Sequence, residues 1–306
     1  MCQVAAEHDL DLARAHIAAG ACVNARDEGE ATPLHRAVAG GHRNVVEFLI
    51  AHGANVDAVG GMLGGTPLCE AVATDYSLVA DDLLKRDRPD LGHDGKLYWE
   101  LREKFTKQLM LDIAQILIEH GADVNARDES GGTVLFFVLG DNTPVEVVKF
   151  LLARGADPSL KDDYGTTVLH EATAERLADL VALFLASGTD VNLRDTDRQA
   201  PLHEAVWQDN KEMVELLLAR GADIAAREKN GDTPLHIAAV NGYSSLFDLL
   251  VSRGADPQAK NKQRLTAVAC ARSTAPQEMV RLTPEGAWPY SVIITRMSSS
   301  TVTDLS

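Results

Sequence analysis

Apolar residues recur along this chain in pairs of short stripes, separated by glycine and followed by a polar, turn-rich stretch. In residues 32–52, a glycine pair divides the two stripes, and Gly53 follows the second one. The stripes consist of Leu34, Ala37 and Val38, and of Val45, Val46, Phe48 and Leu49. Spacings of three and four residues are typical of a helix with one apolar face. The pattern therefore predicts two short helices, each with a single face to bury.

The signals that begin and end these helices recur at a fixed distance. Threonine caps a helix start, proline suits the first helical position, and glycine ends a helix in the left-handed conformation. Helix starts of this kind occur at positions 32, 66, 133, 167, 200, 233 and 266, although the start at 200 has lost its threonine. Successive starts are 34, 67, 34, 33, 33 and 33 residues apart. A period near 33 predicts stacked units that share a continuous core.

These motifs resemble those of the ankyrin-repeat family. The T-P-L-H-x-A helix start of that family stands at 32–37 and 233–238, and its L-L-x-x-G-A-D-V-N segment is similar to 117–125 and 217–224. The resemblance covers roughly residues 1–282. It implies an all-α ankyrin-repeat solenoid of about seven or eight repeats, each with a helix–turn–helix and a β-hairpin loop. We expect residues 283–306 to form a disordered C-terminal tail.

One repeat is interrupted, because 55 residues separate Thr66 from Gly121 where 21 are usual. A decayed whole repeat is disfavoured, since no further T-x-L start or Gly-Ala pair occurs between 75 and 110. We expect the first helix to run on to Leu84, and a second helix to begin near Lys96. These helices would form a helical arm at about 75–108, on the edge opposite the hairpins. Its aromatic residues either pack the two helices together or contact a partner; two of them are Tyr98 and Trp99.

Charge limits the classes of partner. The chain has 45 acidic and 29 basic residues and a formal net charge of −16, which disfavours nucleic acid and anionic membrane surfaces. Acids recur at equivalent hairpin positions, namely Asp27, Asp128, Asp162, Asp195 and Glu228. Each of them either caps local backbone N–H groups or contributes to a negative ridge that would attract a basic partner surface.

Residues that could carry chemistry have structural explanations. In the ankyrin family, the histidine of the T-P-L-H motif is implied to bond its threonine and the neighbouring hairpin; here these are His35, His170, His203 and His236. The four cysteines are scattered without a metal-binding spacing, which is typical of an intracellular protein with reduced thiols. Charged residues within 1–10 argue against a secretory segment. We therefore expect a cytoplasmic protein with no catalytic residue, metal or cofactor.

The resemblance implies a monomeric scaffold that binds another protein through a concave face made of hairpin tips and first-helix ends. The residues at those positions are Arg26, Glu28, Met62, Leu63, Glu129, Asp163, Tyr164, Thr196, Asp197, Trp207, Gln208, Lys229 and Asn230. Trp207 is either an anchor for the partner or a packing residue under the next repeat. Two alternatives are an inhibitor or adaptor that docks through the arm at 76–108, and a non-catalytic part of an enzyme complex.

Overall fold

The computed structural model describes residues 1–6, 9–61, 63–88, 96–139 and 144–274. They form two compact units, which divide between Asp163 and Tyr164. The expected tail at 283–306 and residues 89–95, which precede the second expected helix of the arm, lie outside the described residues. The helices of the first unit are α1 (Cys2–Ala6), α2 (Leu10–Ala18), α3 (Pro33–Ala39), α4 (Arg43–Ala51), α5 (Pro67–Ala73), α6 (Ser77–Asp87), α7 (Lys96–Glu119), α8 (Val134–Phe137) and α9 (Val145–Ala153). Those of the second unit are α10 (Val168–Ala174), α11 (Ala178–Ala186), α12 (Pro201–Trp207), α13 (Lys211–Ala219), α14 (Pro234–Val240), α15 (Ser244–Ser252) and α16 (Ala267–Thr274).

The repeat that begins at Thr32 has the caps that the sequence predicts. At the start of α3, the Thr32 hydroxyl accepts the backbone N–H of His35, and Pro33 occupies the first turn. Gly53, which follows α4, has a φ of 85°, a conformation in which a side chain would be strained. Leu34 of α3 and Leu49 of α4 are completely buried. Local capping thus sets the helix ends, and stacking of the apolar faces supplies the core.

A tight hairpin connects one repeat to the next, closed by one backbone hydrogen bond across its base. The N–H of Asp128 donates to the oxygen of Gly132 at 2.8 Å, and the N–H of Glu228 donates to the oxygen of Asp232 at 3.0 Å. Within the described residues, strand-like pairing is limited to isolated bridges, between Gly60 and Gly65 and between Lys260 and Thr266. The architecture is therefore helical, as predicted, with short hairpins in place of a sheet.

The interrupted repeat differs from its prediction in one respect. The first helix was expected to continue to Leu84, but α5 ends at Ala73 and a separate helix, α6, begins at Ser77. The Tyr76 side chain is buried and its hydroxyl donates to the oxygen of Val38 at 2.9 Å. Asp75 accepts the N–H of Ser77 at 2.9 Å, which favours a new helix start. Burial of one tyrosine therefore breaks the predicted long helix.

The second predicted helix of the interrupted repeat is confirmed as α7, which has 24 residues. Its C-terminal part serves as the second helix of the repeat, with Ile113 and Leu117 buried. Asp112 forms an ion pair with Arg43, at the start of α4, at 3.1 Å. The N-terminal part of α7 packs against α6, and these two segments are the helical arm. The arm therefore consists of α6 and the first part of α7, and it shares α7 with the interrupted repeat.

Candidate protein-binding surface

Buried histidines connect one repeat to the hairpin of the next. In His35, Nδ1 lies 2.9 Å from the Thr32 hydroxyl and accepts the Thr32 backbone N–H, so the proton resides on Nε2, 3.2 Å from the oxygen of Gly65. His170 and His236 have the same arrangement, with Nε2 3.1 Å from the oxygens of Gln199 and Leu265 respectively. Burial lowers the pKa of His35. These imidazoles have a structural role, as the family resemblance implied.

The interrupted repeat carries a cysteine where four of the other helix starts have histidine. The Thr66 hydroxyl donates to Cys69 Sγ at 3.4 Å. Burial raises the pKa of the Cys69 thiol to about 11, so the side chain remains a neutral thiol near pH 7. Cys69 thus fills the histidine's place without reaching the neighbouring hairpin as an imidazole does.

The acids of the hairpins cap their own loops. Oδ1 of Asp128 accepts the N–H groups of Ser130 and Gly132, at 2.7 and 2.8 Å. Asp27, Asp195 and Glu228 make equivalent bonds within their hairpins. The hydrogen bond from Arg36 also lowers the pKa of the Asp27 carboxyl. The capping interpretation is therefore confirmed for these four acids, and their charge is directed inwards to backbone dipoles.

A basic residue precedes the capping acid in most hairpins and reaches the next hairpin. Arg26 donates to the oxygen of Val59 at 2.8 Å, Arg194 to that of Arg227 at 3.0 Å, and Arg227 to that of Lys260 at 2.7 Å. Within each unit, these bases adjoin the capping acids in sequence and offset part of the negative charge expected at the hairpins. The net charge of a hairpin therefore depends on the residues at its tip.

Hairpin tips of adjacent repeats are joined through the backbone. In the first unit, the N–H of Asp163 donates to the oxygen of Ser130 at 3.0 Å. In the second unit, the N–H of Lys229 donates to the oxygen of Asp197 at 2.8 Å, and that of Lys262 to the oxygen of Asn230 at 3.0 Å. These bonds hold the tips at fixed positions, so their side chains form a preorganised surface.

The predicted contact residues of the first unit lie on this surface with one exception. Arg26, Glu28, Leu63, Glu129 and Asp163 are exposed at the hairpins. Met62 lies outside the described residues. Arg26 also bonds the next hairpin, and Asp163 forms an ion pair with Arg127 at 3.3 Å. The tips of the first unit therefore combine acidic side chains with one exposed apolar residue.

The predicted contact residues of the second unit are also solvent-accessible. Tyr164 is 71% exposed and Trp207, the last residue of α12, is 44% exposed. The Trp207 backbone oxygen accepts the Tyr243 hydroxyl at 3.3 Å. The other predicted contact residues of this unit are Thr196, Asp197, Lys229 and Asn230, which are exposed, and Gln208, which is half-buried. The Trp207 ring is not part of the buried core.

The two arm residues have opposite environments. Trp99 is 55% exposed, and the Arg102 guanidinium lies 5.3 Å from its ring centre. Tyr98 is only 4% exposed, and its hydroxyl donates to Oδ1 of Asp81 at 2.6 Å, which fixes α7 to α6. Arg102 binds the same oxygen at 2.7 Å. Tyr98 is therefore a packing residue of the arm, and its expected role as a contact residue is corrected.

A small cluster of potential metal ligands lies near the last hairpin. Its three ligand atoms, which belong to Asp232, His236 and Cys270, lie within 4.8 Å of one another. The amide nitrogen of Asn261 donates to Oδ1 of Asp232 at 2.7 Å and to Sγ of Cys270 at 3.3 Å. Both ring nitrogens of His236 are engaged by Thr233 and Leu265. Hydrogen bonds centred on Asn261 thus account for the cluster, which joins the last hairpin to α14 and α16.

Three exposed residues were not singled out from the sequence, although the 33-residue register indicates them. Lys262 and Arg264 occupy the tip of the last hairpin, and Lys262 follows Lys229 by one period. Val240 ends α14 as Trp207 ends α12, and it is 37% exposed. Comparison of equivalent positions would have found them.

None of the helices in the described ranges is both long and apolar enough to span a bilayer.

Comparisons with known proteins place the chain in a family. A model of ankyrin repeats, built from three copies, matches residues 1–93, 106–195, 136–227 and 174–261. The ankyrin repeat domain of Bcl-3, described as a member of the IkappaB family, superimposes with a TM-score of 0.61 and 28% identity, over 80% of this chain and 95% of that one.

Curated relatives match over shorter stretches. Ankyrin repeat and SOCS box protein 11 of Danio rerio is 36% identical over 107 residues, which is 34% of this chain and 34% of that protein. Ankyrin repeat domain-containing protein 49 of Bos taurus is 65% identical over 37 residues, or 12% of this chain and 16% of the relative. The chain thus spans about a third or less of these two relatives. From the family model and the shared fold, the chain belongs to the ankyrin-repeat proteins.

Proposed function

We propose that the chain is a non-enzymatic scaffold that binds another protein through its hairpin tips and first-helix ends. One observation carries the proposal: backbone bonds fix neighbouring tips, such as Lys229 to Asp197, while their side chains are exposed and differ from repeat to repeat. A surface that is already ordered loses little conformational entropy on binding. Exposed Trp207 adds the type of residue that dominates binding energy at interfaces.

The chemistry-bearing side chains support a non-catalytic role. His35, His170, His203 and His236 are buried and bonded to backbone atoms of the repeats. A general base or nucleophile has to reach a substrate. In the first unit, exposed Glu28 and Glu129 at the tips favour a partner with a basic surface. We expect the chain to act as a monomer in the cytoplasm, and to bind neither nucleic acid nor membrane.

Photo-cross-linking from defined positions tests this proposal. A benzophenone amino acid replaces Asn230 at a tip, Gln208 beside a first-helix end, or Glu212 on the exposed side of α13, in the full chain expressed in its native cell. We expect one and the same protein to be cross-linked from positions 230 and 208 and not from 212. Equal cross-linking from all three positions, or from 212 alone, would contradict the proposed surface.

The arm is a second candidate surface, favoured by two exposed residues. Trp99 is 55% exposed and Leu78 of α6 is 74% exposed. An inhibitor or adaptor subunit could dock through these residues, and a non-catalytic subunit of an enzyme complex would use the same kind of contact. The benzophenone at position 99 distinguishes the two surfaces. Strong cross-linking from 99, with none from 230 and 208, would assign binding to the arm.

A further inference from the structure

We propose that the hairpin tips at the C-terminal end of the second unit bind an acidic segment of the partner protein. We call Lys229, Lys262 and Arg264 the cationic tip row. The inference rests on the proposed function, because it names the chemistry of the partner at one part of that surface. It concerns the second unit alone, and it is separate from the basic partner surface expected at the acidic tips of the first unit.

Exposed charge on the later hairpins of the second unit is predominantly positive. The exposed bases are Arg198, Arg227, Lys229, Lys260, Lys262 and Arg264. The acids of the same hairpins are engaged locally: Glu228 is buried and caps its loop, and Asp232 accepts the amide of Asn261. Asp197 is exposed, but the ion pair that it forms with Lys229 at 3.0 Å offsets only one of the six bases. The surface that a partner meets is therefore cationic, in a protein whose net charge is −16.

The last hairpin owes its charge to the exchange of a capping acid for an amide. At the position of Glu228, this hairpin has Asn261, whose Oδ1 accepts the N–H groups of Gln263 and Leu265, both at 3.0 Å. The neutral amide thus performs the capping that carboxylates perform elsewhere. Residues 260–264 consequently contain three bases and no acid. A carboxylate from a partner would meet no competing carboxylate in this loop.

The two hairpins that carry the tip row are fixed to each other. The N–H of Lys262 donates to the oxygen of Asn230, and its ammonium lies 2.6 Å from the oxygen of Lys229, so the two hairpins are held together. Neighbouring packed helices are about 10 Å apart, and an extended chain advances about 3.3 Å per residue. An extended peptide with an acidic residue at roughly every third position would place one carboxylate at each successive tip.

A protein segment fits this surface better than a nucleic acid does. A long polyanion would be repelled by the net charge of −16, whereas a short acidic segment experiences mainly the charges within a Debye length of about 8 to 10 Å. The same unit also exposes Trp207 and Val240 at equivalent first-helix ends. Apolar side chains of a peptide could contact these two residues, whereas a phosphate backbone has none to offer.

A peptide titration with the full chain tests the inference. The probe is a fluorescein-labelled peptide of about a dozen residues, with glutamate at every third position and one leucine between serines. The control peptide has glutamine in place of glutamate. We expect anisotropy to report binding of the glutamate peptide alone, and its affinity to fall as salt rises.

Two charge reversals localise the binding. Lys262→Glu changes the tip row, and Lys211→Glu makes the same change in net charge at the exposed start of α13. We expect Lys262→Glu to weaken peptide binding about fivefold, and Lys211→Glu to change it by less than about twofold. Circular dichroism and thermal melting should show both variants folded like the unmodified chain.

Several outcomes would overturn the inference. These are equal binding of the glutamate and glutamine peptides, equal losses in the two variants, and tighter binding of a single-stranded oligonucleotide of the same charge. Failure of the proposed function has a different signature, since it appears as absent or unselective cross-linking from positions 208 and 230. Binding of the acidic peptide to the unmodified chain, weakened about fivefold in Lys262→Glu, would support the tip row even then.

Discussion

Nε2 of His203 lies 3.1 Å from the backbone oxygen of Ala226, and its Nδ1 accepts the N–H of Ala200 at 3.0 Å. These two hydrogen bonds connect α12 to the start of the next hairpin. The imidazole is completely buried, so water does not replace either bond when it is lost. We expect His203→Gln to lower the free energy of unfolding by about 1 to 3 kcal/mol, because an amide cannot pair both backbone groups in this geometry.

Chemical denaturation followed by circular dichroism measures that loss. His52→Gln is the matched control, since His52 is exposed and bonds only within its own helix end. Similar midpoints for the two variants would contradict the connecting role of His203.

Acid should destabilise the protein through its buried histidines. Burial lowers the pKa of His35 and of His203, whereas an unfolded histidine titrates near about 6.5. Above that pH both states are neutral. Below it the unfolded chain binds protons that the folded chain rejects, so stability falls as the pH falls towards the folded pKa. We expect the double variant His35→Gln/His203→Gln to have a melting temperature that changes less than that of the unmodified chain when the pH falls from about 7.5 to about 5. An identical slope would refute this.

The start of α12 lacks a hydroxyl that its neighbours use. Thr167 and Thr233 each place Oγ1 2.8 Å from the histidine of their own motif, whereas Ala200 offers only its backbone N–H. The backbone at Ala200, with φ −101° and ψ 162°, matches that of Thr233. We expect Ala200→Thr to stabilise the protein by about 1 kcal/mol. Thermal melting would show this gain as a higher melting temperature. Thr233→Ala should show the opposite change of similar size; a loss of stability in Ala200→Thr would mean that the buried site rejects the added atoms.

Asp57 is an acid at a position where three equivalent residues, Asn24, Asn125 and Asn192, are asparagines. Asn125 donates to the oxygen of Gly155 at 2.9 Å and accepts the N–H of Asp157 at 2.8 Å. Asp57 accepts the N–H of Asp123 at 2.9 Å, but as a carboxylate it has no proton to donate. We therefore expect Asp57→Asn to stabilise the protein at pH 7 by about 0.5 to 1.5 kcal/mol, through a new bond to Gly121.

The pH dependence provides the check on Asp57. Burial, with a smaller effect of the nearby Asp123 charge, raises the pKa of the Asp57 carboxyl. The folded state therefore favours the protonated acid, and the stabilisation by Asp57→Asn should shrink as the pH falls through the raised pKa. Asn125→Asp should destabilise at pH 7. A gain that persists unchanged in acid would indicate another cause.

Trp207→Ala should separate binding from stability. Because 44% of this side chain is exposed, we expect a change in unfolding free energy of less than about 1 kcal/mol and an unchanged helical signal. Cross-linking of a partner from position 230 should nevertheless weaken, since aromatic anchors dominate interface energies. Phe184→Ala, at a fully buried position of the same unit, is the contrasting variant. A comparable loss of stability in both variants would identify Trp207 as a packing residue.

The helices of the regular repeats were predictable from local signals. Thr32, Pro33 and Gly53 act within one or two turns of their own position, so capping and left-handed backbone preferences determine helix ends without distant contacts. Capping was likewise one of the two roles expected for the hairpin acids, because the N–H groups that Asp128 accepts lie within four residues of it.

Other features depend on contacts between residues far apart in the sequence. The break before α6 arises because the Tyr76 hydroxyl finds the oxygen of Val38, 38 positions away, and Tyr98 is buried because Asp81 on α6 accepts its hydroxyl. The sequence pattern of the arm is the same whether an aromatic ring faces the neighbouring helix or solvent. The pattern therefore could not show that Tyr98 is buried and Trp99 is exposed.

Sequence alone determined that this chain forms ankyrin repeats, since periodicity and capping are local properties repeated many times. The tertiary structure decided which charges remain available at the tips. Asp197, for example, forms an ion pair with Lys229 of the next hairpin, whereas Asn261 caps its loop without adding a charge. Electrostatic energy depends on distance in space, and neighbouring tips acquire their partners only when the repeats are stacked.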